Sequence, residues 1–457
     1  MLLLALLLCQ DPVGALVDRA VADTKIDGKI AVSLWSVQAG KLLHQRGADE
    51  ALVLASNTKL LTTAAALARL GPDFKFRTVL GLEGGALHVF GGGDPNISGR
   101  FHEDDPTAVF KGWAKKLAEA KIAKVDALVL HAGLFDRVAL HSDWIALKYD
   151  QDAWWCAPVG ALSLNDNCVD VLYEAAGEGE PAKITLRPDT KHVSVTNASR
   201  TVKEPDAKKP FIIERKDGTN EIIVRGELKA GTKRMTKWIA IRDPARYFGT
   251  VLKETLERAG VEVGEIRESD TALGDHPKLQ TVAEHETDLA ATLKVCNTVS
   301  QNFYAEMICK TLGVKRKGQG TTAAGVEAIR EFLEKDVGIK VEQADGSGLS
   351  RGNRASAASL HALLEYMRRH AHAKVWVDSL PVNGTDPGTL RRRMLTFRGA
   401  VHAKTGHISG VAALSGYLTT NAGDTLVFSI LNNEWKSGSA DRFQDRLLEL
   451  LVAHKGD

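Results

Sequence analysis

Residues 73–283 have a texture unlike the chain on either side of them, and that interruption constrains the architecture of the whole sequence. The stretch carries Gly-rich turns such as Gly91-Gly92-Gly93-Asp94-Pro95, short strand-like runs, and polar loops such as Lys203 to Pro210. One helix stands out within it, from Asp243-Pro244 to Ala259-Gly260. Its apolar stripe is Tyr247, Phe248, Val251, Leu252 and Leu256, and Pro244 suits its first position. Before the interruption, Leu60, Leu61, Ala64, Leu67 and Leu70 recur at helical spacing until Gly71 and Pro72 stop them. After it, Asp288 to Leu312 reads as one helix with Leu289, Leu293, Cys296, Phe303, Met307 and Ile308 as core positions.

The outer segments complete the pattern. Val17 to Ile26 fits a short helix, and Ile30 to Val37 and Lys41 to His44 form a hairpin across Gln38-Ala39-Gly40. Val411 to Leu418 and Thr425 to Leu431 read as neighbouring strands. Arg442 to His454 is a closing amphipathic helix with Phe443, Leu447, Leu448 and Leu451 inward. This reads as one α/β domain, residues 12–72 and 284–457, split by a β-rich insertion over 73–283, with two subdomains expected inside it. There is no repeat at solenoid periods and no low-complexity tract.

A chain of 457 residues with 44% hydrophobic and 25% charged residues has the core of a soluble protein of about two to three domains. Its 59 basic and 57 acidic residues leave a net charge of +2, against a dedicated nucleic-acid binder. Residues 1–11 are signal-like: Leu2 to Leu8 are too few to span a bilayer but fit the apolar part of an export signal. No Lys or Arg precedes them, and no small-x-small cleavage site follows. A misassigned start that shortened a normal signal is the alternative. Cys9 raises a lipoprotein reading, although Leu8 is bulkier than lipid-attachment sites usually have. No other stretch is long and apolar enough to be transmembrane. Cys156, Cys168, Cys296 and Cys309 form no CxxC pair, so no zinc site follows from them. They are either buried free thiols or partners, Cys156 with Cys168 for example.

Three short motifs carry chemistry. Ser56-Asn57-Thr58-Lys59 begins the Leu60 helix, and a spacing of three puts hydroxyl and amine on one helical face. A serine hydroxyl needs a base to become a nucleophile, and a lysine becomes one when burial or a second cation lowers its pKa. The helix N-terminus adds positive potential for a developing oxyanion. Taken alone, the same pattern also describes a helix cap and a solvated lysine. Ser300-Gln301-Asn302 and Lys404-Thr405-Gly406 are weak individually, since Ser163-Leu164-Asn165 and Lys436-Ser437-Gly438 fit the same patterns. Position separates them: Lys404 opens a segment followed by two strand-like runs and can sit on a sheet edge, whereas Lys436 lies in a polar turn.

In this order the motifs resemble those of the serine penicillin-recognising enzymes. Further segments narrow the match: Gly92-Gly93-Asp94-Pro95, Ala161 to Asn167, Asp345-Gly346-Ser347-Gly348-Leu349-Ser350 and Leu380-Pro381-Val382. With them the chain resembles, over nearly its whole length after residue 11, the D-alanyl-D-alanine carboxypeptidase/endopeptidase family, the low-molecular-mass class C penicillin-binding proteins. The resemblance implies an α/β fold of the penicillin-binding-protein and serine β-lactamase kind, an antiparallel sheet flanked by helices, interrupted by the insertion. It implies that Ser56 attacks the carbonyl between two D-alanines with Lys59 as proton acceptor, and that Ser300 relays a proton to the leaving amine. Asn302 would hold Lys59 and the substrate amide, and Lys404, Thr405 and Gly406 would present the strand that binds the terminal carboxylate. The backbone N–H groups of Ser56 and His407 would form the oxyanion hole. Asp345 and Ser347 would line the site, a tight structural turn being the equal alternative for that segment.

Peptidoglycan stem peptides are the implied substrates and β-lactam antibiotics the implied covalent inhibitors, with no cofactor, no nucleic acid and an exported, periplasmic or cell-envelope location. The sequence departs from the family pattern at Gln301, where Asp or Asn is frequent, and at His407, where a small hydroxyl residue is common. A β-lactamase shares the motifs but lacks a domain-sized insertion between the first two. A non-enzymatic peptidoglycan-binding protein would not need every catalytic position intact. A metal hydrolase finds no HExxH or comparable ligand set among the 14 histidines.

Overall fold

A computed structural model describes residues 11–453, and they divide into two compact units. The first comprises residues 11–74, 289–317 and 322–453; the second comprises 75–288 with the short piece 318–321.

The first unit is built on a five-stranded antiparallel sheet in the order Val401–Ile408, Val411–Thr419, Thr425–Asn433, Lys29–Ser36, Lys41–Arg46. Side chains alternate across a strand, so each row of the sheet has a defined face. Val32, Leu34, Leu414, Phe428 and Ile430 point to one side. There the helices Pro12–Thr24 and Ala440–Val452 bury Val13, Val17, Phe443, Leu447 and Leu451 against them. Burying each such side chain contributes about 1.5–3 kcal/mol. The opposite face carries a polar row, Ser33, Ser429 and Ser415, continued by Lys404 on the edge strand. Ser33 Oγ lies 2.8 Å from His361 Nδ1 on the helix Ala357–Arg369, which packs on that side. Val411–Thr419 is buried along nearly its whole length because both faces are covered, hence its unbroken small and apolar run.

Two details of the sequence reading are corrected here. The segment read as one helix from Asp288 to Leu312 is two, Leu289–Thr298 and Asn302–Lys317. The break falls at Ser300, whose φ of 61° is left-handed and cannot continue a right-handed helix. Lys404 sits on the sheet edge as read, but within a strand of its own, Val401–Ile408, that the reading did not delimit.

The second unit has its own core. A mixed five-stranded sheet runs in the order Glu262–Ser269, Lys124–His131, Ala86–Phe90, Lys75–Glu83, Gln280–Asp288. The helices Ala108–Glu119 and Pro244–Arg258 bury Phe110, Trp113, Phe248 and Leu252 with Leu80, Val89, Leu128 and Leu130 of the sheet. Asp243 caps the second helix by accepting from Arg246 N, as its place before Pro244 demands. Two three-stranded sheets complete the unit. Its first and last strands pair with each other, Lys75 opposite Asp288, so the unit's two ends lie side by side. Leu289 N likewise donates to Phe74 O in the first unit.

Cys156, Cys168, Cys296 and Cys309 are all buried free thiols. Cys9 and the apolar run before it lie outside the described residues. Among the described residues no helix is long and apolar enough to cross a membrane.

Candidate active site

Ser56 stands in a single 3-10 turn, Ala55–Asn57, at the head of the helix Thr58–Leu70. The turn is forced by its surroundings. Ala55 has a left-handed φ of 45°, and Gly348 approaches so closely that any Cβ there would lie 1.9 Å from Ala55 O. The turn aims Ser56 at Lys59, one helical turn on. Lys59 Nζ is 3.0 Å from Ser56 Oγ, 2.6 Å from Asn302 Oδ1 and 2.7 Å from Ser347 O.

Lys59 is fully buried, and burial pushes its pKa down to about 8, opposed by the nearby Asp345 and Glu306 carboxylates. The three contacts are chemically unequal. Asn302 Oδ1 and Ser347 O can only accept, so a neutral Lys59 spends its two N–H bonds on them. Its lone pair is then left facing the Ser56 hydroxyl.

The break between helices sets the second motif. With its left-handed backbone, Ser300 turns out of the first helix and receives a hydrogen bond from Lys404 Nζ, at 2.8 Å, while Asn302 begins the next helix beneath Lys59. Lys404 is fully buried as well and also donates to Thr405 O. Burial, and then the neighbouring Lys59 charge, hold its pKa well below the usual lysine value. Gln301 is buried.

The edge strand lies directly against the nucleophile. Asn57 Nδ2 donates to Lys404 O at 2.9 Å, tying the helix head to the strand. A Cβ at Gly406 would lie 2.8 Å from Leu54 O and 3.1 Å from Ser56 N, so only glycine allows this approach. Gly406→Ala should therefore lower stability by about 1–3 kcal/mol and cut acylation at Ser56 by roughly tenfold or more. Denaturant melts and single-turnover acylation measure both effects. Gly112→Ala, on an open helix face, should show neither. On the strand's outer side, Val382 pairs with His402 and Ala403 N donates to Pro381 O. Beyond that point, Lys404 to His407 have no strand partner on that side among the described residues.

Alternation places Thr405 and His407 on the face opposite Lys404 and Gly406. Thr405 Oγ1 donates to Thr389 Oγ1 at 2.8 Å, and His407 is exposed. Asp345 is fully buried. Its carboxylate accepts from the backbone N–H groups of Ser347, Gly348 and Ser350 and from Asn353 Nδ2, so it folds the loop that delivers Ser347 O to Lys59.

The sequence reading missed two residues. Glu306 is buried one turn beyond Asn302, held protonated more readily than usual by burial and the Asp345 charge, and accepts from Gly346 N. Its i,i+4 spacing from Asn302 was the available signal. Thr389 had none, being brought to Thr405 by a loop. The two look-alike motifs prove structural. Asn165 Nδ2 donates to Asp170 Oδ1 in the second unit, and Asp27 caps the backbone N–H groups of Lys436 and Ser437 in a turn.

A serine at a helix head, a buried lysine one turn on, and a second lysine on the adjoining sheet edge define a serine hydrolase of the penicillin-recognising class. The chain belongs to the D-Ala-D-Ala carboxypeptidase 3 (S13) family, whose model matches residues 13–453. It is 32% identical to a D-alanyl-D-alanine carboxypeptidase of an Actinomadura species, over 96% of this chain and 84% of that one. It is also 25% identical to a D-alanyl-D-alanine carboxypeptidase of Haemophilus influenzae, over 89% and 85% of the two chains. The crystal structure of penicillin binding protein 4 from Haemophilus influenzae superposes with a TM-score of 0.79 at 22% identity, covering 96% of this chain and 99% of that one, which shows the shared fold.

Proposed function

We propose that the chain removes the terminal D-alanine from peptidoglycan stem peptides through an acyl-enzyme on Ser56. Lys59 supports this reading most strongly: it is buried, its pKa is about 8, and its lone pair is directed at the Ser56 hydroxyl by two obligate acceptors. Lys59 takes the hydroxyl proton as Ser56 Oγ bonds to the carbonyl carbon between the two D-alanines. The backbone N–H groups of Ser56 and His407 receive the oxyanion. As the C–N bond breaks, the proton that Lys59 took from Ser56 passes to the departing amine through Ser300, which Lys404 holds in place, and Lys59 is neutral again. Water, deprotonated by Lys59, then releases the shortened peptide. Thr405 and Lys404 give the terminal carboxylate a hydroxyl and a positive potential, and Asn302 offers its side-chain amide to the substrate.

The same acyl-enzyme opens a cross-bridge when the leaving amine belongs to a neighbouring stem, so carboxypeptidase and endopeptidase activity share this chemistry. Substrates of this kind place the enzyme outside the cytoplasmic membrane, and we assign it to the cell envelope. β-Lactams would acylate Ser56 in the same way, and the Haemophilus penicillin binding protein 4 has been solved complexed with a β-lactam. The test is incubation with a peptide ending in D-Ala-D-Ala and with cross-linked muropeptides. Release of free D-alanine, or of uncross-linked stems, is expected; turnover of neither would remove the proposal.

A further inference from the structure

We propose that the second unit holds a borderline divalent cation of the Zn2+ kind between His88, His131 and His276. One ring nitrogen from each of these residues lies within 4.8 Å of the other two. Leu87 and Val89 point into the unit's core, so His88 and Phe90 project from the other face of the strand Ala86–Phe90. His131 is paired opposite Phe90 on the next strand and lies on the same face. His276 comes down onto this face from the segment following Glu262–Ser269, its ring 5.0 Å from those of both His88 and His131. Phe90 stacks on His131 at 4.0 Å and closes the apolar side.

The hydrogen bonds fix where the lone pairs are. His276 Nδ1 donates to the Glu83 carboxylate at 2.6 Å, so in the neutral ring Nε2 carries the lone pair. Thr271 Oγ1 lies 3.0 Å from that Nε2 and 2.9 Å from His131 Nδ1; it accepts from His131 Nδ1 and donates to His276 Nε2, and an entering ion would displace that hydroxyl hydrogen from the lone pair. His131 Nε2 is therefore also a lone pair; it accepts from His88 Nδ1 at 2.9 Å, and an ion entering there would take the place of that hydrogen, with His88 binding through Nδ1 in its other neutral tautomer.

Glu83 behind His276 and Thr271 behind His131 are partners of the type that orient metal-ligating imidazoles. Tetrahedral coordination at about 2.0–2.1 Å places ligand nitrogens about 3.3 Å apart, so binding needs shifts of the order of an ångström or less within this cluster. Three imidazoles and no thiolate favour Zn2+, Ni2+ or Co2+ over harder ions, with a fourth position left for water. The ion would clamp residues 270–279 to the sheet, independently of Ser56.

The test uses untagged full-length protein freed of metal by a chelator. Co2+ titration should give the visible bands of a four-coordinate nitrogen site at one ion per chain, without a thiolate charge-transfer band. Zn2+ should displace it, and Zn2+ at about a hundred times its Kd should raise the unfolding midpoint by roughly 5–10 °C. His131→Ala, and the more exposed His88→Gln and His276→Gln, should weaken Zn2+ roughly 100-fold or more. Glu83→Gln should weaken it roughly tenfold. An unchanged circular dichroism spectrum and metal-free unfolding midpoint confirm the fold of each variant; if His131→Ala fails to fold, the other two carry the test. Three results would overturn the site: no one-to-one binding, binding that survives the His88→Gln/His276→Gln double variant, or binding lost instead when the pair His370 and His372 of the first unit is replaced.

Discussion

Ser56→Ala protein incubated with fluorescent penicillin should carry no covalent label, whereas the parent protein should be labelled once, within the tryptic peptide 47–59. The expectation follows from the site's composition: Ser56 Oγ is the hydroxyl at the head of the helix and within 3.0 Å of the buried Lys59. Removing it deletes the bond-forming atom while leaving Lys59, Asn302 and Lys404 in place. Release of D-alanine from a D-Ala-D-Ala peptide should fall by roughly 10^4-fold or more, as when a nucleophile is removed from a catalytic unit. A stable label on the Ala variant would mean that another group forms the acyl-enzyme, with Ser300 the next hydroxyl in the site.

Lys59→Arg should lower acylation by roughly 10^2- to 10^4-fold with an unchanged circular dichroism spectrum. The guanidinium retains the charge and can still donate to Asn302 Oδ1 and Ser347 O, but it stays protonated at any working pH and cannot accept the serine proton. The parent enzyme should show the complementary pH dependence. Because the Lys59 pKa is lowered to about 8, the neutral fraction is small below that value. The acylation rate constant should therefore rise about tenfold per pH unit from 6 to 7 and level off above 8. The Arg variant should lose this rise. Near-parental acylation by Lys59→Arg would transfer the base role to Lys404 or Ser300.

Much of the site was legible because each motif is local. Ser56 and Lys59 are one helical turn apart, so their meeting needs only the helix that the apolar repeat from Leu60 to Leu70 already predicts. The hairpin from Lys29 to Arg46, the two C-terminal strands and the closing helix were equally readable from alternation and helical spacing. The helix break at Ser300 was not. Its residues are compatible with helix, and the left-handed turn is stabilised by what Ser300 and Asn302 then reach, Lys404 and Lys59, far away in sequence. For Asp345 the motif left lining the site and closing a tight turn as equal alternatives, and only the fold shows its carboxylate accepting hydrogen bonds from its own loop.

By itself the sequence determined the split α/β architecture and the Ser56–Lys59 pair through short-range periodicity and spacing, while the candidate status of Ser300, Asn302, Lys404 and Thr405 came from the order of the motifs and the family they resemble. Only the tertiary structure decided which lysine faces the serine with a free lone pair, which SxN and KTG triplets lie beside Ser56, and why position 406 must be glycine. The histidines at 88, 131 and 276 belong to the same category, since strand pairing and one covering segment bring them within 4.8 Å. The physical reason is common to all of these. Lysine pKa, lone-pair direction and close backbone approach depend on burial and on partners many residues away, and no local pattern encodes them.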